Sequence, residues 1–139
     1  MPLNNNYIVK IAVLDDSTFY TSILKRQIEN TLYHISSDKA IDFSLSVYTH
    51  TNDFLQSIPS KHDILFLDFY LDDGQSALSV LDRIDPFKND IKVAMVSQYE
   101  NQYTVDKAIA KGAMTFIQKD KDLLIKASDF VDYIVRSYF

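Results

Sequence analysis

Short, almost uninterrupted apolar runs alternate along this chain with longer stretches of helical periodicity, and few folds accept both. Ile8–Leu14, 64–67 and 91–96 are nearly free of polar residues. A strand with one wet face would alternate; a run without alternation needs cover on both faces, as central strands of a parallel sheet have. Phe43, Leu45 and Val47 do alternate with polar residues, as an edge strand does, and 115–118 is a short fifth strand. Between the strands lie helical patterns. One covers 18–34, with Ser17 as its N-cap and Phe19, Ile23, Ile28 and Leu32 as core candidates. Others cover 52–58, stopped by Pro59; 76–84, closed by Pro86; and 103–111, with Gly112 placed for a C-terminal cap. The last is a stripe of Leu123, Leu124, Ala127, Phe130, Val131, Ile134 and Val135. Five strand–helix repeats result, and strands separated by helices pair in parallel through right-handed crossovers. The expected fold is a doubly wound α/β domain over 7–139, after a disordered polar tail over 1–6.

Composition narrows the classes. The 139 residues suffice for one domain with one core, and an apolar content of 47% excludes a disordered chain. The net charge is −5 without a dense Lys/Arg block, so no electrostatic footprint for nucleic acid is present. The absence of cysteine removes disulfides, thiol nucleophiles and thiolate metal sites together. Met-Pro-Leu-Asn-Asn-Asn lacks the basic and apolar regions of a signal peptide, and no apolar run approaches a membrane span. A soluble, cytoplasmic protein without a membrane partner is expected.

In doubly wound sheets, ligands bind beyond the carboxyl ends of the strands. The first strand delivers Asp15 and Asp16 there, the third Asp68, the fourth Ser97, and the fifth is followed by Lys119. Three carboxylates brought close together repel, and a hard divalent cation relieves the repulsion. An oxygen-only ligand set with few protein carboxylates suits Mg²⁺. An Asp beside it can act as a nucleophile and form an aspartyl-phosphate, with Lys119 pairing with the phosphoryl group and Ser97 hydrogen-bonding to it.

The ordered segments Val13-Leu14-Asp15-Asp16-Ser17, Leu65-Phe66-Leu67-Asp68, Val93-Ala94-Met95-Val96-Ser97 and Gly112-Ala113-Met114-Thr115-Phe116-Ile117-Gln118-Lys119 resemble the receiver domain of two-component response regulators, from Ile8 to about Ser137. The resemblance implies a flavodoxin-like fold: a five-stranded parallel sheet in the order 2-1-3-4-5 flanked by five helices. It implies Asp68 as the acceptor of a phosphoryl group from a histidine kinase or phosphotransfer protein. Asp16 corresponds to a direct Mg²⁺ ligand, Asp15 to an acidic residue acting largely through water, and the Tyr70 backbone carbonyl to the third protein ligand. Lys119 corresponds to the lysine of the site, Ser97 to the switch hydroxyl and Phe116 to the switch aromatic. Phosphorylation would draw Ser97 inward, followed by Phe116, and change the face made by the fourth helix, fifth strand and fifth helix. That face is the expected surface for a homodimer. Such a domain is not an enzyme on other substrates; it catalyses only its own phosphorylation and dephosphorylation.

Four departures stand beside the resemblance. Asp72 occupies the place of a frequent proline and Gly74 arrives early, giving 70–76 an unusual sequence. Gln98 follows Ser97 where a small residue is usual, and can crowd the site. Asp120 replaces a proline after Lys119; a cis bond before a non-proline residue costs about 3–4 kcal/mol, so a trans bond is expected there. The chain ends with its last helix, consistent with a stand-alone receiver or part of a larger regulator. The first two departures motivate the alternative of a non-phosphorylated pseudo-receiver that binds proteins.

Plainer roles are open to each residue. Asp15 and Asp16 can cap a helix, Ser97 a turn, Lys119 can be an exposed loop residue, and Phe116 plain core. Asp72 and Asp73 read as loop residues. His34, His50 and His62 have no metal-ligand spacing. Tyr99 and Tyr103 are candidates for an exposed interaction face. A phosphatase of the haloacid-dehalogenase type would need a second Asp two residues after its nucleophile, which neither Asp68-Phe69-Tyr70 nor Asp15-Asp16-Ser17 supplies. A flavodoxin-type nucleotide site is disfavoured by the lack of a Gly-rich loop after the first strand, in a chain with two glycines.

Overall fold

The computed structural model describes residues 7–58, 61–71, 76–99 and 101–139. Five strands, β1 (Ile8–Leu14), β2 (Asp42–Tyr48), β3 (Ile64–Asp68), β4 (Lys92–Ser97) and β5 (Ala113–Gln118), form one parallel sheet in the order β2-β1-β3-β4-β5. The strand order is the expected one. Six helices are described where five were expected: α1 (Thr18–Ser36), α2 (Thr51–Gln56), α3 (Ala77–Ile84), α4 (Pro86–Asn89), α5 (Gln102–Ala110) and α6 (Leu123–Tyr138). The extra one is the single turn α4. Asp85 adopts a left-handed conformation (φ 46°) that ends α3, and its side chain accepts a hydrogen bond from the Lys88 N–H to start the next turn. Pro86 thus opens a turn at its first position, where its missing N–H costs nothing, rather than only stopping the helix before it. Pro59 as a helix stop, the tail over 1–6, and Asp72, Asp73 and Gly74 lie outside the described residues.

The pleat of β1 divides the core. Val9, Ile11 and Val13 join Ile64, Phe66, Ala94 and Val96 under α1 and α6; Ala12 and Leu14 join Leu65, Leu67, Val93 and Met95 on the other face, under α2, α3 and α5. In α1, Leu24, Ile28, Leu32 and Ile35 are buried, whereas the expected core residue Phe19 is exposed. The reason is helical phase. Phe19 and Ile23 share one four-residue series; Leu24 shares the series of Ile28 and Leu32, at the centre of the buried face, and Phe19 falls off it. Ile23 packs at its margin. The helices are held unequally: α6 buries Leu123, Ala127, Phe130, Val131, Ile134 and Val135, but α5 buries only Ala108.

Gly112 follows α5 as expected, with φ 109°, and its N–H donates to the Ile109 carbonyl (3.0 Å). A Cβ there would stand 2.9 Å from the Pro86 ring. Gly112→Ala is expected to cost about 1–3 kcal/mol, from the positive φ and the contact together. A urea titration checks this; an unchanged midpoint would refute it.

Candidate functional site

The parallel register delivers the chemistry-bearing residues to one edge. Asp15 and Asp16 leave β1, Asp68 closes β3 opposite Val96, and Ser97 closes β4 opposite Gln118 of β5, with Lys119 next in chain. Two backbone bonds lock these ends: the Phe69 N–H donates to the Val96 carbonyl (2.8 Å) and the Lys119 N–H to the Ser97 carbonyl (2.7 Å). Asp15, Asp68 and Ser97 are buried and Asp16 half-buried. The Lys119 ammonium is buried between two carboxylates, 2.8 Å from Asp15 Oδ2 and 3.5 Å from Asp68 Oδ1. It also stands 4.0 Å from the centroid of the Tyr20 ring, over its face.

Lys119 contacts two carboxylates of a cluster of three. Oxygens of Asp15, Asp16 and Asp68 all lie within 4.8 Å of one another. Asp15 Oδ1 accepts the Ser17 N–H (2.9 Å), but the buried Oδ2 has only the ion pair with Lys119, whose alignment makes no hydrogen bond. The Asp68 carboxyl is pushed up to about 7, first by burial and then by the Asp15 carboxylate; Lys119 and the Tyr70 N–H (3.3 Å) pull against this, and Asp16 adds to the rise. A buried oxygen without a hydrogen-bond donor, in a hard all-oxygen donor set with surplus negative charge, fits a divalent cation of the Mg²⁺ or Ca²⁺ kind.

The remaining expected residues are placed as follows. The Ser97 hydroxyl accepts the Tyr99 N–H (3.2 Å), so in this state it does cap the turn after β4. Phe116 is half-buried with its ring 6.3 Å from that of Phe69. Gln98 is exposed, and its carbonyl accepts the Gln118 side chain (3.4 Å). No cis peptide bond occurs among the described residues, so the bond before Asp120 is trans as expected. Two aromatic residues, Phe69 and Tyr20, extend the site beyond the sequence reading, and the Tyr70 and Tyr99 rings join it. Phe69 touches Tyr70 (5.0 Å between centroids), and Tyr70 meets the exposed Tyr99 edge-on (6.1 Å). The signal available was position alone: Phe69 and Tyr70 follow Asp68, and Tyr99 follows Ser97 by two. Tyr20 had none, since its role depends on where Lys119 comes to rest.

Other features lie elsewhere. A cavity of about 530 Å³, lined by Phe54, Ile58, His62 and Ile84 among others, sits at the amino ends of β3 and β4, away from the carboxylates. His62 is buried there, stacked on Phe54 (5.6 Å), with its pKa lowered first by burial and then by Lys10. No helix among the described residues is long and apolar enough to cross a membrane.

No protein-family model matches this sequence, and no curated protein matches it. Solved structures do. The signal receiver domain of a DNA-binding response regulator from Colwellia psychrerythraea is 19% identical, with 93% of this chain and 99% of that one covered and a TM-score of 0.76. The response regulator DrrB of Thermotoga maritima is 18% identical with a TM-score of 0.72; the match covers 93% of this chain and 54% of that one, so this chain spans about half its length. A response regulator from Burkholderia pseudomallei, solved with a phosphorylated aspartic acid, a calcium ion and citrate, is 17% identical, covers 93% of this chain and 75% of that one, and has a TM-score of 0.66. By strand order, helix placement and these likenesses, the chain has the fold of a response-regulator receiver domain.

Proposed function

We propose that this chain is a phosphorylation switch in which Asp68 accepts a phosphoryl group, with Mg²⁺ held by Asp15, Asp16, Asp68 and the Tyr70 carbonyl. The observation that carries this reading is the burial of Asp15 and Asp68 against a single lysine, with Asp16 alongside and Asp15 Oδ2 lacking a donor. Two buried carboxylates sharing one ammonium are costly to hold without a further cation.

When bound, Mg²⁺ would neutralise the carboxylates and the charge on the transferring phosphoryl oxygens. The chain's own residues do the rest. An Asp68 oxygen attacks phosphorus, the bond from phosphorus to the donor's nitrogen or oxygen breaks, and the leaving group keeps the electron pair and later takes a proton from water. Lys119, already between Asp15 and Asp68, pairs with the new phosphoryl oxygens. The Ser97 hydroxyl gives up the Tyr99 N–H and donates to the phosphoryl group; Phe116 follows inward. Water later attacks phosphorus and releases phosphate, restoring the carboxylate. The donor is a histidine kinase or phosphotransfer protein in the cytoplasm, and the face of α5, β5 and α6 carries the output, including pairing of phosphorylated copies.

The Ser97–Tyr99 bond favours a second reading, a protein-binding module that never takes up phosphate. Intact mass decides between the two. With Mg²⁺ and a small-molecule phosphodonor, one added phosphoryl group is expected, absent in Asp68→Asn and without Mg²⁺. No addition to the wild type, with no Mg²⁺ binding, would leave the second reading standing.

A further inference from the structure

The free edge of the sheet at β2 has an unusual symmetry. β1 pairs with one side of β2, and among the described residues no strand pairs with the other. The Asp42 N–H donates to the Tyr7 carbonyl (3.2 Å) and the Tyr48 carbonyl accepts the Asp15 N–H (3.1 Å), so both residues turn their peptide groups towards β1. By strand alternation Ser44 and Ser46 do the same, and Phe43, Leu45 and Val47 present theirs outward. These three also carry apolar side chains; Phe43 and Val47 are exposed and Leu45 half-buried.

Natural edges are usually blunted by lysine, proline or a bulge. β2 has none of these: its sequence is Asp-Phe-Ser-Leu-Ser-Val-Tyr, and its register with β1 runs unbroken, whereas that of β4 with β5 shifts between Val93 and Ala94. The sequence reads alike in both directions about Leu45, with serines on either side and Phe43 and Val47 beyond. Two copies in antiparallel, two-fold register centred there would set Leu45 against the partner's Leu45 and Phe43 against the partner's Val47. Each opposed pair then consists of residues whose peptide groups point outward, so about six backbone hydrogen bonds form without disturbing the bonds to β1. An aromatic ring opposite a β-branched side chain is a favourable cross-strand pair. Charge selects the same register: Asp42 faces the partner's Tyr48, while a parallel arrangement would oppose Asp42 to its own copy. Beside the strand a groove of about 470 Å³, lined by Lys25, Glu29, Tyr33, Phe43 and Leu45, leaves room for the partner's apolar side chains.

We propose that β2 is a self-recognition edge, through which two copies of this chain join their sheets into one continuous antiparallel-centred sheet. This interface lies on the opposite edge from β5 and does not rest on phosphorylation.

The full chain, without Mg²⁺ or phosphodonor, is examined by sedimentation velocity up to about 300 µM, a range that reveals even a weak dimer. The wild type is expected to pass from the 16.0 kDa monomer to twice that mass. Val47→Lys is expected to remain monomeric with an unchanged melting temperature, since it alters an exposed side chain. Because the chain has no cysteine, single thiols then read the register under a mild oxidant. Leu45→Cys should cross-link to itself and Phe43→Cys should not, while a mixture of Phe43→Cys and Val47→Cys should. A wild type that stays monomeric throughout overturns the proposal, as does a dimer that survives Val47→Lys. Cross-linking of Phe43→Cys alone would overturn the register.

Discussion

Asp68→Asn is expected to melt about 4–8 °C above the wild type at pH 8 in the absence of divalent cations, a gain of roughly 1–2 kcal/mol. The substitution keeps shape and removes one buried negative charge beside Asp15, with which it shares the Lys119 ammonium. Its sign with pH follows from the proton count. Asp68 is pushed from its ordinary 3.8 to about 7, by burial first and Asp15 second. Between those values the folded chain holds a proton that the unfolded chain has released, so wild-type stability falls as pH rises through the window and the penalty is complete above it. The advantage of Asp68→Asn should therefore shrink steadily from pH 8 towards pH 4. Thermal melts across that range check it. Saturating Mg²⁺ should close the gap from the other direction, by stabilising the wild type more than the variant. A gain that ignores both pH and Mg²⁺ would mean that the amide packs better, and the charge argument would fall.

Lys119→Met is expected to have the opposite and larger effect, a loss of about 3–5 kcal/mol at pH 8 without metal. It removes the ammonium beside Asp15 and Asp68 and leaves both carboxylates buried with nothing positive in contact. The loss has three signatures that a mere packing defect lacks. Protonating Asp68 at pH 5 should recover part of it, Mg²⁺ should recover part of it, and adding Asp68→Asn should be less than additive with it. Urea denaturation of the two single variants and the double variant measures all three. A small, pH-independent change would show that Lys119 neutralises nothing.

What the sequence discloses of this fold is governed by period and by place. Buried parallel strands are the one element whose apolar runs show no alternation, and so β1, β3 and β4 are legible, with Asp15, Asp16, Asp68 and Ser97 at their ends. Phase within a helix is less legible. Phe19 is apolar and falls in a helix, but it lies off the face that Leu24 and Ile28 centre. The turn α4 is hidden because Pro86 is both a helix stop and a helix start, and the left-handed Asp85 that decides between them leaves no mark in composition. Contacts that cross the sheet ends are hardest of all. Nothing local to Tyr20 announces Lys119 above its ring, and nothing local to Ser97 distinguishes a hydroxyl awaiting a phosphoryl group from one capping a turn.

The unequal anchoring of the helices sets how much free energy is needed to rearrange them. Shifting a two-state element from one part in a hundred to its converse takes about 5.5 kcal/mol. α6, with six buried side chains against the sheet, would absorb several times that before moving. α5 is held from its own side by one fully buried residue, Ala108, with Thr104 and Val105 half-buried beside it, so moving it would expose little apolar area. If the chain switches as proposed, a signal of a few kcal/mol at the strand ends would be spent mostly on α5, with the more deeply anchored α6 as the fixed frame beside it.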